Sequence, residues 1–132
     1  VDPRLHVTPG ALDARLALQL RIRAALDTLD MTINRSIALR DSLGALKGRA
    51  GRRAQKRVAA LNDAINGLVQ MDVHSSEGTL LHETRLRSHL AYLAADIDMA
   101  YARPTQAQYA VFKELAQQAK DGESGLRSAM RR

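Results

Sequence analysis

Leu16, Leu20, Ile22, Leu26, Leu29, Ile33 and Ile37 recur at steps of mostly three and four through one unbroken stretch, the spacing that gathers apolar side chains on one side of an α-helix. Thr8-Pro9 just ahead reads as an N-cap followed by a proline at the first helical position, where its missing N–H costs nothing. Residues 1–8 form an aperiodic tail, and the pattern predicts a first helix over about 9–43, roughly 50 Å long at 1.5 Å per residue. Gly44, Gly48 and Gly51 each carry a helix-propensity penalty of about 1 kcal/mol relative to alanine, so a turn is expected across them.

Ala54, Val58, Leu61, Ile65 and Leu68 alternate at four and three, a seam of the coiled-coil kind, and predict a second helix over about 52–71. The segment Asp72 to Gly78 is rich in turn formers and reads as the longest internal loop. Leu86, Leu90, Leu93, Ile97 and Tyr101 predict a third helix over about 79–103, with Thr79 a candidate cap and Pro104 the stop. Thr105-Gln106-Ala107-Gln108 matches a capping box and starts a fourth helix over about 105–121, with Tyr109, Phe112, Leu115, Ala116 and Ala119 on its apolar face. Gly122 is the expected break, after which Leu126 and Met130 add a turn or two.

The expected fold is all-α: an up-down-up-down four-helix bundle over 9–132 with a long first helix. The surplus apolar positions of that helix, Leu12, Leu16, Leu18 and Leu20, need cover from the C-terminal turn, a larger protein or a second copy. Composition agrees, since 22 alanines and 19 leucines against 3% aromatic residues suit close-packed helices better than a sheet. With no cysteine, disulfides and thiolate metal sites are excluded. No stretch approaches the roughly 20 apolar residues of a membrane span. The start at Val1, without a leader pattern, reads as a processed or excised piece.

The formal charge of +6 is local: residues 1–66 carry twelve Lys/Arg against six Asp/Glu, and 67–132 carry eight of each. Lys47, Arg49, Arg52, Arg53, Lys56 and Arg57 supply six positive charges with no acid between them. Six phosphate contacts would give a slope of about −5 against log salt on duplex DNA. No aromatic residue is interleaved for base stacking, so the segment is either a solvated turn or a general anion contact, for nucleic acid or an anionic surface.

Other chemistry is thin. His82-Glu83 begins like a metalloprotease signature, but Leu86 stands where the second histidine belongs, and His89 lies two turns further on, too far to share an ion with His82. His6 and His74 fall in the tail and the loop. Asp96 and Asp98, two apart on a helix, diverge rather than form an acid–base pair, and Ser75, Ser76 and Thr79 lack any nucleophile context. Asn34 and Asn66 either border the core, fixing register through a shared hydrogen bond, or are exposed amides. No catalytic, cofactor or metal residue is assigned.

Gln19-Leu20-Arg21-Ile22-Arg23 with Leu26, Leu29, Ile33-Asn34-Arg35 and Leu39-Arg40, then Tyr92-Leu93, Asp98, Pro104-Thr105-Gln106 and Val111, form a pattern spanning 16–121. It resembles the C-terminal helical region of large bacterial proteins, where that region follows a β-propeller of sortilin-like or sialidase-type (BNR) repeats, often labelled glycosyl-hydrolase-like. The propeller is absent from this chain, and Ser75 to Glu83 lacks the proline-bearing segment many members have. The resemblance implies a helical appendage, outside the cytoplasm, with a packing or association role and no transferable catalytic residue. The leading expectation is a non-enzymatic interaction or assembly module, meeting a protein partner or itself through apolar helix surface; the alternative is polyanion binding through Lys47 to Arg57.

Overall fold

A computed structural model describes residues 7–69 and 84–131. They form four helices, α1 Pro9–Gly44, α2 Gly48–Asn66, α3 Leu86–Met99 and α4 Gln106–Arg131, with no strand among the described residues. The all-α helical bundle with a long first helix is what the apolar spacing predicts.

Helix α1 starts as expected. Thr8 is extended at ψ 147°, and its Oγ1 accepts the Ala11 amide at 3.2 Å, with proline in the first turn. Two boundaries around the next turn differ from expectation. Helix α2 begins at Gly48 rather than near 52, because the glycines shape the turn instead of breaking the helix. Gly48 sits at φ +64°, a conformation costly for any residue with a Cβ, and a Cβ on Gly51 would run into the Leu46 carbonyl. At its other end α2 stops at Asn66, not 71, as Leu68 turns to donate its amide to Ile65 at 2.9 Å.

Helix α3 ends at Met99, four residues short of the predicted stop. Ala100 swings to ψ 122°, and its carbonyl accepts Arg15 Nη1 at 2.8 Å, so a tertiary contact ends the helix before Pro104 can. The predicted start at 79 and the loop around Asp72 lie outside the described residues. The capping box of α4 forms in both directions: Gln108 N–H donates to Thr105 Oγ1 at 3.1 Å, and Thr105 N–H to Gln108 Oε1 at 2.8 Å. Helix α4 then runs straight through the expected break to Arg131. Gly122 is a packing residue, its missing Cβ leaving room for the Leu68 side chain.

The largest departure is topological. Along α1, Arg15 reaches Ala100, Gln19 Nε2 bonds Asp98 at 3.0 Å and Asp30 meets Arg87, so α3 is antiparallel to α1. Arg40 Nη1 bonds Asn62 Oδ1 at 3.4 Å, and α2 is antiparallel as well. Helices α2 and α3 do not pack side by side. They stack end to end, where the Arg87 amide donates to the Leu68 carbonyl at 3.1 Å. The order is up-down-down-up, not up-down-up-down. Helices α2 and α3, of 19 and 14 residues, together reach about 50 Å and match the 36-residue α1, of about 54 Å. The four helices therefore make three rods, with α4 antiparallel to the composite rod and parallel to α1.

The core line of α1 runs through Leu18, Ile22, Leu29 and Ile33 and includes Thr32 and Ser36, all buried. Both hydroxyls donate back along the helix, Thr32 to the Thr28 carbonyl at 3.0 Å and Ser36 to Thr32 at 2.8 Å, and so enter the core without an orphaned donor. Leu61 and Ile65, Leu90 and Ile97, and Phe112, Leu115 and Leu126 complete the core from the other rods. Leu18 is fully covered, against expectation, while Leu12, Leu16 and Leu20 stay 43%, 55% and 54% exposed. The C-terminal turn cannot cover them, because the parallel course of α4 carries it to the opposite end, beside Thr32 and Arg35. Tyr101 is exposed beyond the end of α3, and Asn34 and Asn66 are exposed amides.

Two glycines of α4 test this packing. Gly125 faces open space, so Gly125→Ala is expected to raise stability by up to about 1 kcal/mol through helix propensity. Gly122→Ala is expected to gain nothing, since the new methyl displaces Leu68. Urea denaturation of the two variants reads the difference.

Candidate functional site

The basic segment occupies the end of the bundle where α1 turns into α2. Lys47 is the extended residue ahead of α2, and Arg49, Arg52, Arg53 and Lys56 project from its first turns, all exposed. None of these five forms an ion pair with a described residue. No acid lies in the first turn of α2, and no side chain caps it. The positive end of the helix dipole thus meets like charge from the side chains, an arrangement that an external anion relieves.

Arg57, the sixth cation, is placed differently. It is half-buried, its Nη2 donates to the Met130 carbonyl, and its Nε has no hydrogen-bond partner among the described residues. It ties the last turn of α4 to α2 and is not a free surface charge.

Three cations that sequence order gave no reason to group join this end. Arg35 on α1 and Arg127 and Arg131 on α4 line one shallow hollow, with Arg127 also paired to Glu123 at 3.4 Å. They converge because α4 runs parallel to α1. With an antiparallel α4, the arginines would lie near Leu12 instead, so only the direction of the fourth rod could have found them.

The middle of the bundle and its opposite end are held by clasps. Arg87 grips Asp30 through two bonds, Nε to Oδ1 at 2.7 Å and Nη2 to Oδ2 at 3.0 Å. The hydrogen bond to Asp30 raises the Arg87 pKa above its usual value, burial opposes this, and the carboxylate charge adds to it. Arg21 lies over the Phe112 ring at 4.9 Å and Arg15 over Tyr101 at 5.9 Å. Asp96 and Asp98 are pulled to opposite sides, Asp96 accepting from Gln108 at 2.7 Å and Asp98 from Gln19, and form no carboxylate pair. His89 is exposed and meets Thr84 Oγ1 at 2.6 Å. His6, His74 and His82 lie outside the described residues, and among the described ones no group of three or more His, Asp or Glu could hold a metal. No described helix is long and apolar enough to cross a membrane.

The second surface feature is the row Leu12, Leu16 and Leu20. At about 100° per residue, these lie roughly 100° to 180° around α1 from the line of Leu18, Ile22 and Leu29. They face away from both neighbouring rods, with exposed Ala17 and Ala24 close by.

No family model, no curated protein and no solved structure matches this chain.

The role of Arg57 can be read directly. Arg57→Ala is expected to speed amide exchange over the last turn of α4 by about fivefold, the equivalent of one lost hydrogen bond of roughly 1 kcal/mol. Exchange in α3 is expected to stay unchanged, and Arg53→Ala, at an exposed position, is expected to alter neither.

Proposed function

We propose that this chain is a non-enzymatic helical interaction module, and that its contact surface is the apolar row of α1. The observation that carries this reading is the exposure of Leu12, Leu16 and Leu20 on a helix whose other large apolar positions, Met31 apart, are buried or half-buried. Side chains four apart form a ridge that interlocks with the matching ridge of another helix, typically at a crossing angle near −50°. The occupant that fits is an amphipathic helix from a partner polypeptide. A second copy would bring only the same three half-exposed leucines, whereas a partner helix can bring a longer apolar stripe. An extracytoplasmic appendage of a larger bacterial protein, as the propeller-associated resemblance implies, is consistent with this use.

Leu16→Asp and Leu20→Asp remove the row without touching the core. Each is expected to change folding stability by under about 0.5 kcal/mol, as is usual for exposed positions. Each is also expected to abolish the capture of leucine-bearing amphipathic helices by the wild-type protein, an association that persists at high salt. Light scattering on the isolated chain is expected to show a monomer at micromolar concentration; a stable dimer that the aspartates dissociate reassigns the surface to self-association.

A second reading, polyanion binding at the basic end, is favoured by the uncapped, acid-free start of α2. Arg57 is engaged with Met130, leaving five of the segment's cations exposed, so the slope against log salt on duplex DNA is expected to be about −4.5 rather than −5. Fluorescence anisotropy at several salt concentrations measures it, and a slope near zero rejects this reading.

A further inference from the structure

A groove of about 820 Å³ lies between α2 and the C-terminal half of α4, within the roughly 300–1,000 Å³ of sites that hold small molecules. We propose that it binds a single-chain fatty-acid carboxylate, with the chain along the groove floor and the head group at Arg53 and Lys56.

The groove exists because both helices present small residues to it: Ala50, Ala54 and Ala60 from α2, Gly125 and Ala129 from α4. Leu43 and Leu46 line it at the α1–α2 turn, and Leu46 remains 46% exposed, a large apolar side chain that an acyl chain would cover. On α2 the cations of the rim flank the exposed Ala60, and the buried Ala54 lies further round toward the core. Arg53 and Lys56 stand exposed at the rim. Arg57 also borders the groove, but its Nη2 is taken by Met130, which leaves the rim cations to meet an anion.

Charge complementarity selects the ligand. The described residues lining the groove include three cations and no carboxylate. A purely apolar ligand would leave the rim without a counter-charge, and an extended polyanion would leave the apolar floor in water. A molecule with one anionic head and one apolar tail satisfies both. Charge-assisted hydrogen bonds from arginine and lysine fix the head, and burial of methylene groups, each contributing on the order of a factor of four in affinity, fixes the tail.

The test is a titration of the isotope-labelled wild-type chain with decanoate below its micelle concentration, followed by amide chemical shifts. The expected result is saturable shifts clustered at Leu43, Leu46, Ala50, Ala54 and Ala129. Decanol is expected to bind about tenfold more weakly, and acetate not at all. Arg53→Gln combined with Lys56→Gln, both at exposed positions, is expected to weaken decanoate about tenfold with the fold intact. Ala60→Phe, also exposed, is expected to block the groove. Shifts that do not saturate, or that centre on Leu12, Leu16 and Leu20, overturn the proposal, as does equal binding of decanol and decanoate or undiminished binding by the double variant. Tighter binding of decyl phosphate than of decanoate overturns the carboxylate assignment. Because the groove and the leucine row are separate surfaces, either reading can fail without the other.

Discussion

A helix of 36 residues with an apolar line along most of its length cannot stay exposed, and the rest of the molecule is organised around covering it. Neither α2 nor α3 is long enough to do so alone. Placed end to end they are, and the hydrogen bond between the Leu68 carbonyl and the Arg87 amide joins them into one antiparallel rod. The fourth helix then lies against both α1 and this composite rod, contributing Phe112 and Leu115 at one end and Leu126 at the other. Three rods around one apolar axis bury only one side of each, so the far side of α1 is left to carry Leu12, Leu16 and Leu20.

The same arrangement accounts for the charge. A parallel α1 and α4 bring Arg35, Arg127 and Arg131 to the end that already holds Lys47, Arg49, Arg52, Arg53 and Lys56. Toward the other end the cations are consumed by structure, Arg15 on the Ala100 carbonyl and Arg103 on the Gly10 carbonyl, while Arg87 on Asp30 clasps the middle. The bundle is therefore polarised, with its structural arginines toward one end and most of its free positive charge at the other. That polarity raises the positive potential around the basic end. The small-residue groove beside it adds an apolar component that nucleic acid has no use for.

What was legible in the chain follows from local physics. The N-cap at Thr8, the capping box of Thr105 and Gln108, and the core seams of α2 and of α3 as far as Ile97 rest on residues within one or two turns of each other and formed as their spacing requires, while Tyr101 was left exposed past the helix end. The glycine-bearing turn near 44–51 was also visible, though not its shape, because Gly51 accommodates a carbonyl whose approach depends on the path of Leu46. The α1 stripe divides between two faces. Leu16 and Leu20 share the periodicity of the core line but not its face, while Thr32 and Ser36 share the face and look polar.

Helix identity, caps and the all-α class were determined by the sequence alone, since they depend on propensity, periodicity and hydrogen bonds between near neighbours. Direction, stacking and exposure were decided only by tertiary structure. Whether Gly122 ends a helix or admits Leu68, whether α3 stops at Met99 or Pro104, and whether Arg127 stands near Leu12 or Arg35 all depend on residues far away in the chain. Such contacts form only when whole rods choose how to cover one another, and an apolar stripe attracts a neighbour without specifying which one or in which direction it runs.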